Sequence, residues 1–174
     1  HATGSKAFTE NLRKAVGRRA ASQFTYFNSF SAAEPGSIDL LVCDEAHRMR
    51  ESSNNRFMKK EDRSDKAQVT ELLDAAKVSV FLIDDMQVVR PEEVGSSDIV
   101  REAAAARGVT VVEHELEAQF RCNGSDAYVQ WVDNTLELRR TPHVLWERDD
   151  PFDFDVVDAP EELDALIRSR AEEG

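Results

Sequence analysis

Residues 40–49 read LLVCDEAHRM, and the fold turns on how this stretch is interpreted. With Ile38 and Asp39 ahead of it, IDLLVC (38–43) is an almost unbroken apolar run, the pattern of a strand covered on both faces in a parallel sheet. Two adjacent carboxylates, Asp44 and Glu45, follow at once. VSVFLI (78–83) repeats the pattern and runs into Asp84 and Asp85. In open parallel sheets ligands gather at the carboxyl ends of the strands, so both acidic pairs fall where chemistry is done.

Working outward, the intervening segments alternate helix and strand. Ser5 is placed to cap a helix over 5–16, with Phe8, Leu12, Ala15 and Val16 on one face. FTYF (24–27) reads as a short strand, and the charged residues 49–63 as a mobile loop. Ser64 or Asp65 would start a helix through Lys77, with Val69, Leu72, Leu73 and Ala76 inward. A helix opened at Ser97 and closed at Gly108 leads to a third strand, VTVVE (109–113). Repeated strand, helix and strand predict an α/β domain with a parallel sheet. The pattern changes after about residue 115. Ser125 would cap a helix over 124–136 that buries Tyr128, Trp131, Val132 and Leu136. Further on, Asp158-Ala159-Pro160-Glu161 has the form of a capping box with proline in the first turn.

A chain of 174 residues with 41% hydrophobic content fits one domain, or one and part of a second. No apolar run nears the ~20 residues of a membrane span, and Cys43 and Cys122 show no metal or redox spacing. A reducing, cytoplasmic setting is expected. The net charge of -12 argues against nonspecific binding of nucleic acid by the whole surface. Its distribution is uneven: residues 1–33 carry five bases and one acid, whereas 147–173 carry eleven acids and three bases. A basic patch on an acidic protein is compatible with this, and so are ordinary solvated faces.

Several motifs fail. HELEA (114–118) lacks the second histidine of a zinc-protease helix, and His47, His114 and His143 make no ligand spacing. No phosphate-cradling G-x-x-x-x-G-K-[ST] loop occurs; TGSK (3–6) lacks its first glycine. What remains is carboxylate chemistry. Asp44 can hold Mg²⁺ directly or through water, and Glu45 can orient or deprotonate an attacking water. One acidic pair alone could simply meet solvent or a helix N-terminus. Two pairs at equivalent strand ends, with Gln87 beyond the second, favour a site.

Taken together, DEAH (44–47), LIDDMQVVRP (82–91) and LEAQFRCNGSD (116–126) resemble a superfamily 1 helicase, and within it the Schlafen group 3-like DNA/RNA helicase domain. The resemblance implies a RecA-like, three-layer parallel sheet of the P-loop NTPase type. That core would be incomplete and followed by the start of a second α/β lobe, with lobes at 1–115 and 116–174. It implies Asp44 on Mg²⁺, Glu45 activating water, His47 linking the site to other motifs, and Gln87 sensing the γ-phosphate and nucleic acid. Asp84 stands where many relatives in the wider superfamily have glycine. Gln119 would contact the nucleotide, and Arg121 would serve as an arginine finger, a role suited to its permanently charged fork. TGSK resembles a single-strand contact, with Thr3, Ser5 and Lys6 on backbone phosphates. FNSF (27–30) resembles a weaker one through Phe27 and Asn28, although its aromatics fit a core equally well.

The expected parent is an ATP- and Mg²⁺-dependent helicase or translocase on single-stranded DNA or RNA. The phosphate loop would lie upstream, so the chain, which starts at His1 rather than Met, reads as a truncated piece that turns ATP over poorly by itself. Two other classes stay open. One is a Mg²⁺-dependent phosphodiesterase or nuclease using Asp44, Glu45, Asp84 and Asp85. The other is a non-catalytic interaction module with a degenerate nucleotide site.

Overall fold

The predicted strand at residues 38–43 exists and organises the rest. In the computed structural model, which describes residues 1–55, 58–60, 63–88, 90–116, 125–146 and 154–173, β3 (Ile38–Asp44) is central in a four-stranded, all-parallel sheet. The other strands are β1 (Ala2–Thr3), β2 (Thr25–Tyr26) and β4 (Ala76–Phe81), in the order β2-β1-β3-β4. Helices α1 (Lys6–Val16), α2 (Gln68–Ala75) and α3 (Ser97–Ala105) flank it, an α/β arrangement consistent with a RecA-like core. The chain divides into two units, 1–112 and 113–174.

Register brings the chain exits together. Thr3 pairs with both Tyr26 and Asp44, and Cys43 pairs with Phe81. In a parallel sheet, in-register pairs share an end, so the segments after residues 3, 26, 44 and 81 all leave at the carboxyl end. The core lies on one face of this sheet. Leu41 and Cys43 point to it and pack with Phe27, Phe30, Val69, Leu72 and Ala75. Burying a side chain such as Leu41 or Leu72 contributes about 1.5–3 kcal/mol, and both are fully buried.

The opposite face differs from the expectation of a strand covered on both sides. Leu40 and Val78, paired across β3 and β4, are each 56% exposed, and Val80 and Leu82 are exposed beside them. The apolar run records that the strand is fit for burial, and among the described residues no layer covers these side chains of β3 and β4.

Other boundaries shift for local reasons. Helix α1 is capped by Ser5, whose oxygen accepts from Phe8 N. Yet Phe8 and Val16 are exposed, and the buried residue is Thr9, whose hydroxyl donates to the carbonyls of Ser5 and Thr25. Helix α2 starts at Gln68 rather than at 64–65, and β4 follows it without a loop. Segment 49–55 is anchored and not a loose loop: Met49 and Ser53 are buried, and Arg50 and Ser52 bridge to Glu93 and Ala67. Ser96, one residue earlier than expected, caps α3 by accepting from Ile99 N. Residues 109–113 form no strand with any described neighbour, and Val109, Val111 and Val112 are exposed.

In the second unit the described residues form two helices, α4 (Asp126–Thr135) and α5 (Pro160–Glu173). Ser125 caps α4 by accepting from Tyr128 N. Tyr128, Trp131 and Val132 are half-buried, whereas Leu136 is exposed. The unit is held by an aromatic cluster in which Trp131 lies 4.8 Å from Phe154 and 5.6 Å from Trp146 between ring centroids. At α5 the carboxylate that reaches back is Glu162, to Asp158 N, and not Glu161. No helix among the described residues is long and apolar enough to cross a membrane.

Candidate functional site

The site is built on the turn that ends β3. Asp44 accepts from Glu45 N at 3.0 Å through one carboxylate oxygen, and the other lies 3.3 Å from His1 Nε2. Glu45 then takes a left-handed backbone, φ 53° and ψ 44°. This conformation is uncommon for a side chain of that size and costs on the order of 1–2 kcal/mol. It reverses the chain into a single 3₁₀ turn, Ala46–Arg48. Ala46 N donates to Leu82 O at 2.9 Å, and Leu82 N donates to Cys43 O. The first carboxylate turn is thereby stitched to the segment that leads to Asp84.

Two glycines clasp this turn. A Cβ on Gly95 would lie 2.8 Å from the backbone C and Cα of His47 and closer still to Ala46 O. A Cβ on Gly4, in the TGSK loop, would lie 2.5 Å from Arg48 Cβ. Backbone therefore presses on backbone from the Gly95 side, a close approach open only to glycine.

Within the turn the charges pair locally. Glu45 Oε2 lies 3.2 Å from Arg48 Nε and 3.3 Å from His47 Nε2. His47 is buried, and its Nδ1 has no partner among the described residues. Burial pushes the neighbouring Cys43 thiol up to about 12, so it is an inert part of the core.

The second carboxylate pair is used differently. Asp84 accepts from Met86 N and, at 2.7 Å, from Gln87 Nε2. Asp85 accepts from Ser97 N at 2.8 Å, a negative charge at the start of α3. Gln87 is thus turned onto Asp84, and among the described residues no bond joins it to Asp44 or Glu45. Nor do the described residues gather three or more His, Cys, Asp or Glu side chains into a metal-holding group.

The candidate strand contacts share the same sheet end and differ in availability. Lys6 is exposed, with Glu10 at 4.0 Å. Ser5 is engaged as a helix cap, and Thr3 is fully buried. Phe27 is buried in the core, so its ring presents no stacking surface. Asn28 faces inward: its amide nitrogen donates to Ser53 O at 2.8 Å and its oxygen accepts from Gln68 Nε2 at 3.3 Å. Gln68 is the hub of this buried network, also accepting from Arg50 N and donating to Ser53 Oγ, which donates to Glu71. Gln119 and Arg121 lie outside the described residues.

The parts not foreseen are Arg48, Gly4, Gly95 and the Gln68 network. Arg48 was discoverable from its i, i+3 spacing to Glu45. Close backbone approach at a glycine leaves no local pattern.

A family model described as Schlafen group 3, DNA/RNA helicase domain, matches residues 1–174. Comparisons with curated proteins and with solved structures gave no match. The family match spans the whole sequence, and the DEAH turn it embraces is the one that the sheet, the Leu82 bond and two glycines hold in place; the chain belongs to the Schlafen group 3 DNA/RNA helicase domain family.

Proposed function

We propose that this chain carries the hydrolysis and sensing face of an ATP-driven helicase or translocase of the superfamily 1 type, acting on single-stranded DNA or RNA. The observation that carries the reading is Glu45: a strained, left-handed glutamate, fixed at the carboxyl end of the central strand directly after Asp44. Backbone strain that the surroundings hold in place is concentrated at working sites. Asp44 would hold the metal of MgATP. Glu45 takes the proton as a water oxygen adds to the γ-phosphorus and the bond to the β–γ bridging oxygen breaks, releasing ADP and phosphate. His47 fixes the turn and Gln87 reports the γ-phosphate after leaving Asp84; Gln119 and Arg121, outside the described residues, keep the nucleotide-contact and arginine-finger roles that the family resemblance implies.

The donor set suits a metal that arrives with its nucleotide. Mg²⁺ is commonly held by one or two carboxylates, substrate phosphates and water, and Asp44 retains a part-exposed carboxylate for that purpose. When bound, the ion would draw charge from the phosphate oxygens. A nuclease working on Asp44, Glu45, Asp84 and Asp85 would need carboxylates clustered around shared ions. Asp84 and Asp85 are instead spent on their own turn and on the α3 terminus. These 174 residues hold no G-x-x-x-x-G-K-[ST] loop, so on this reading another segment supplies the phosphate grip.

The test is ATP turnover by the natural chain that contains these residues, with and without single-stranded DNA and RNA, beside its Glu45→Gln variant. Stimulation by a strand and a loss of at least about 100-fold in the variant are expected. Metal-dependent strand cleavage without nucleotide would favour the nuclease. A natural chain silent with every strand, or unchanged by Glu45→Gln, would leave the interaction module as the better account.

A further inference from the structure

One oxygen of the carboxylate assigned to proton transfer is already occupied. Glu45 Oε2 lies between His47 Nε2 and Arg48 Nε, at 3.3 and 3.2 Å. The two partners are not alike. The His47 side chain is 4% exposed and fixed in the turn, whereas that of Arg48 is 36% exposed. Accepting a proton on that oxygen means giving up the Arg48 contact. The stem of Arg48 also lies against Gly4, which sets this residue beside the TGSK loop, where Lys6 is exposed.

We propose that Arg48 is a phosphate-contacting residue for the nucleic-acid strand, and that in the unbound protein it rests on Glu45 and restrains it. A strand docking at the exposed Lys6, beside Gly4, presents a phosphate to the guanidinium. Phosphate matches the guanidinium fork with two parallel hydrogen bonds, where Glu45 meets a single nitrogen. Arg48 then swings to the strand and Glu45 is released, so strand binding and hydrolysis are coupled through one side chain. This rests on the reading of Glu45 as the proton acceptor and of TGSK as a strand contact.

A partly exposed ion pair is weak, so the restraint is modest. In the natural chain, Arg48→Gln is expected to raise turnover without nucleic acid about two- to fivefold while leaving the strand-saturated rate within about twofold. Strand affinity should weaken, and its salt dependence should lose about one phosphate contact, near 0.7 in the slope of log K against log salt for an oligo-dT or oligo-U strand. Arg48→Lys, which keeps the charge and loses the fork, should fall between. If Arg48→Gln leaves the unstimulated rate and the salt slope as in the wild type, the proposal is overturned. An equal loss in both rates also overturns it, because Arg48 would then only hold the turn in shape. A wild type that never hydrolyses ATP sinks the motor reading, and this proposal with it. A strand-stimulated wild type beside an unresponsive Arg48→Gln sinks only this proposal.

Discussion

Replacing Gly95 with alanine adds one methyl group and should cost more than most core truncations. The added Cβ would sit 2.8 Å from His47 C and Cα, closer still to Ala46 O, and ordinary contact begins at 3.4 Å. Relief therefore requires a displacement of roughly 0.6 Å or more between two stretches of backbone, neither of which has a rotamer to change. Ala46 is not free to retreat. Its N–H donates to Leu82 O, and its carbonyl accepts from Met49 N at 3.1 Å, where Met49 is buried. Overpacking of this kind costs about 1–3 kcal/mol, and a strained or lost hydrogen bond adds about 1 kcal/mol. Against this, alanine limits the unfolded chain and returns about 0.4–1 kcal/mol. The net expectation is a loss of about 2–3 kcal/mol, or roughly 5–15 °C in Tm for a unit of this size. Thermal and urea unfolding, followed by circular dichroism, measure it directly. Gly36→Ala is the control, since Gly36 has φ +67° and nothing within 4 Å of its would-be Cβ; it should show only the conformational cost, about 1 kcal/mol. A Gly95→Ala protein as stable as wild type, or less affected than Gly36→Ala, would refute the clasp around the carboxylate turn.

Glu45→Gly should abolish turnover while moving stability by less than about 1 kcal/mol, because glycine relieves the left-handed strain that offsets the lost ion pairs; marked destabilisation in urea would contradict it. Asp74, on α2, accepts from Arg107 beyond the end of α3 and from Lys66. The Arg107 guanidinium, followed by Lys66, holds its carboxyl below the ordinary range. A depressed carboxyl stabilises the fold above its unfolded value near 3.9 and loses that contribution as pH falls through the folded value. The stability gap between wild type and Asp74→Asn should thus be about 1 kcal/mol or less near neutrality and close progressively below about pH 4; a gap independent of pH would sink the assignment. Cys43, fully buried and with its thiol pushed to about 12, should react with a thiol reagent only as fast as the fold opens, read in a Cys122→Ser background. Labelling within seconds of mixing under native conditions would show the core is not closed there.

The parts legible in the sequence share one property: their cause is local. Ser5 and Ser125 were readable as caps because a side-chain oxygen three residues ahead of a helical N–H is a short-range geometry. The strands read at 38–43 and 78–83 are present because their apolar runs are flanked by charge, although β4 (Ala76–Phe81) begins two residues earlier, where a helix through Lys77 was expected, and ends before Leu82. VTVVE is apolar and β-branched in the same way and pairs with no described strand, because pairing is decided by long-range placement that composition does not carry. Phe27 reads equally as a strand contact or as core, and its ring is buried in the core cluster with Leu41 and Leu72. Asn28 reads as a strand contact, and its amide is consumed by Ser53 and Gln68, 25 and 40 residues away. The candidate site was half legible for the same reason. The carboxylates and their strand ends follow from local pattern, whereas the glycines that press on the turn act across 44 and about 50 residues of chain.

The choice between a motor and a metal-dependent nuclease comes down to what the four carboxylates are doing. Asp84 and Asp85 are quiet: one closes its own turn and holds Gln87, the other receives the N-terminus of α3. These are stabilising, low-cost positions for acids. Asp44 and Glu45 stand in contrast. One of them is kept in an unfavourable backbone state, on a turn wedged between Gly4 and Gly95 and bonded to Leu82, just beyond the end of β4. Nothing about solubility or helix capping asks for a glutamate there, since glycine or asparagine would take the same backbone at lower cost. A nuclease would distribute its demands over all four acids, because shared metal ions require them to converge. A nucleotide-driven motor needs one metal-facing carboxylate and one proton acceptor held rigidly beside it, with a sensor on the adjacent strand end. The observed inequality among the four acids matches the second demand and not the first.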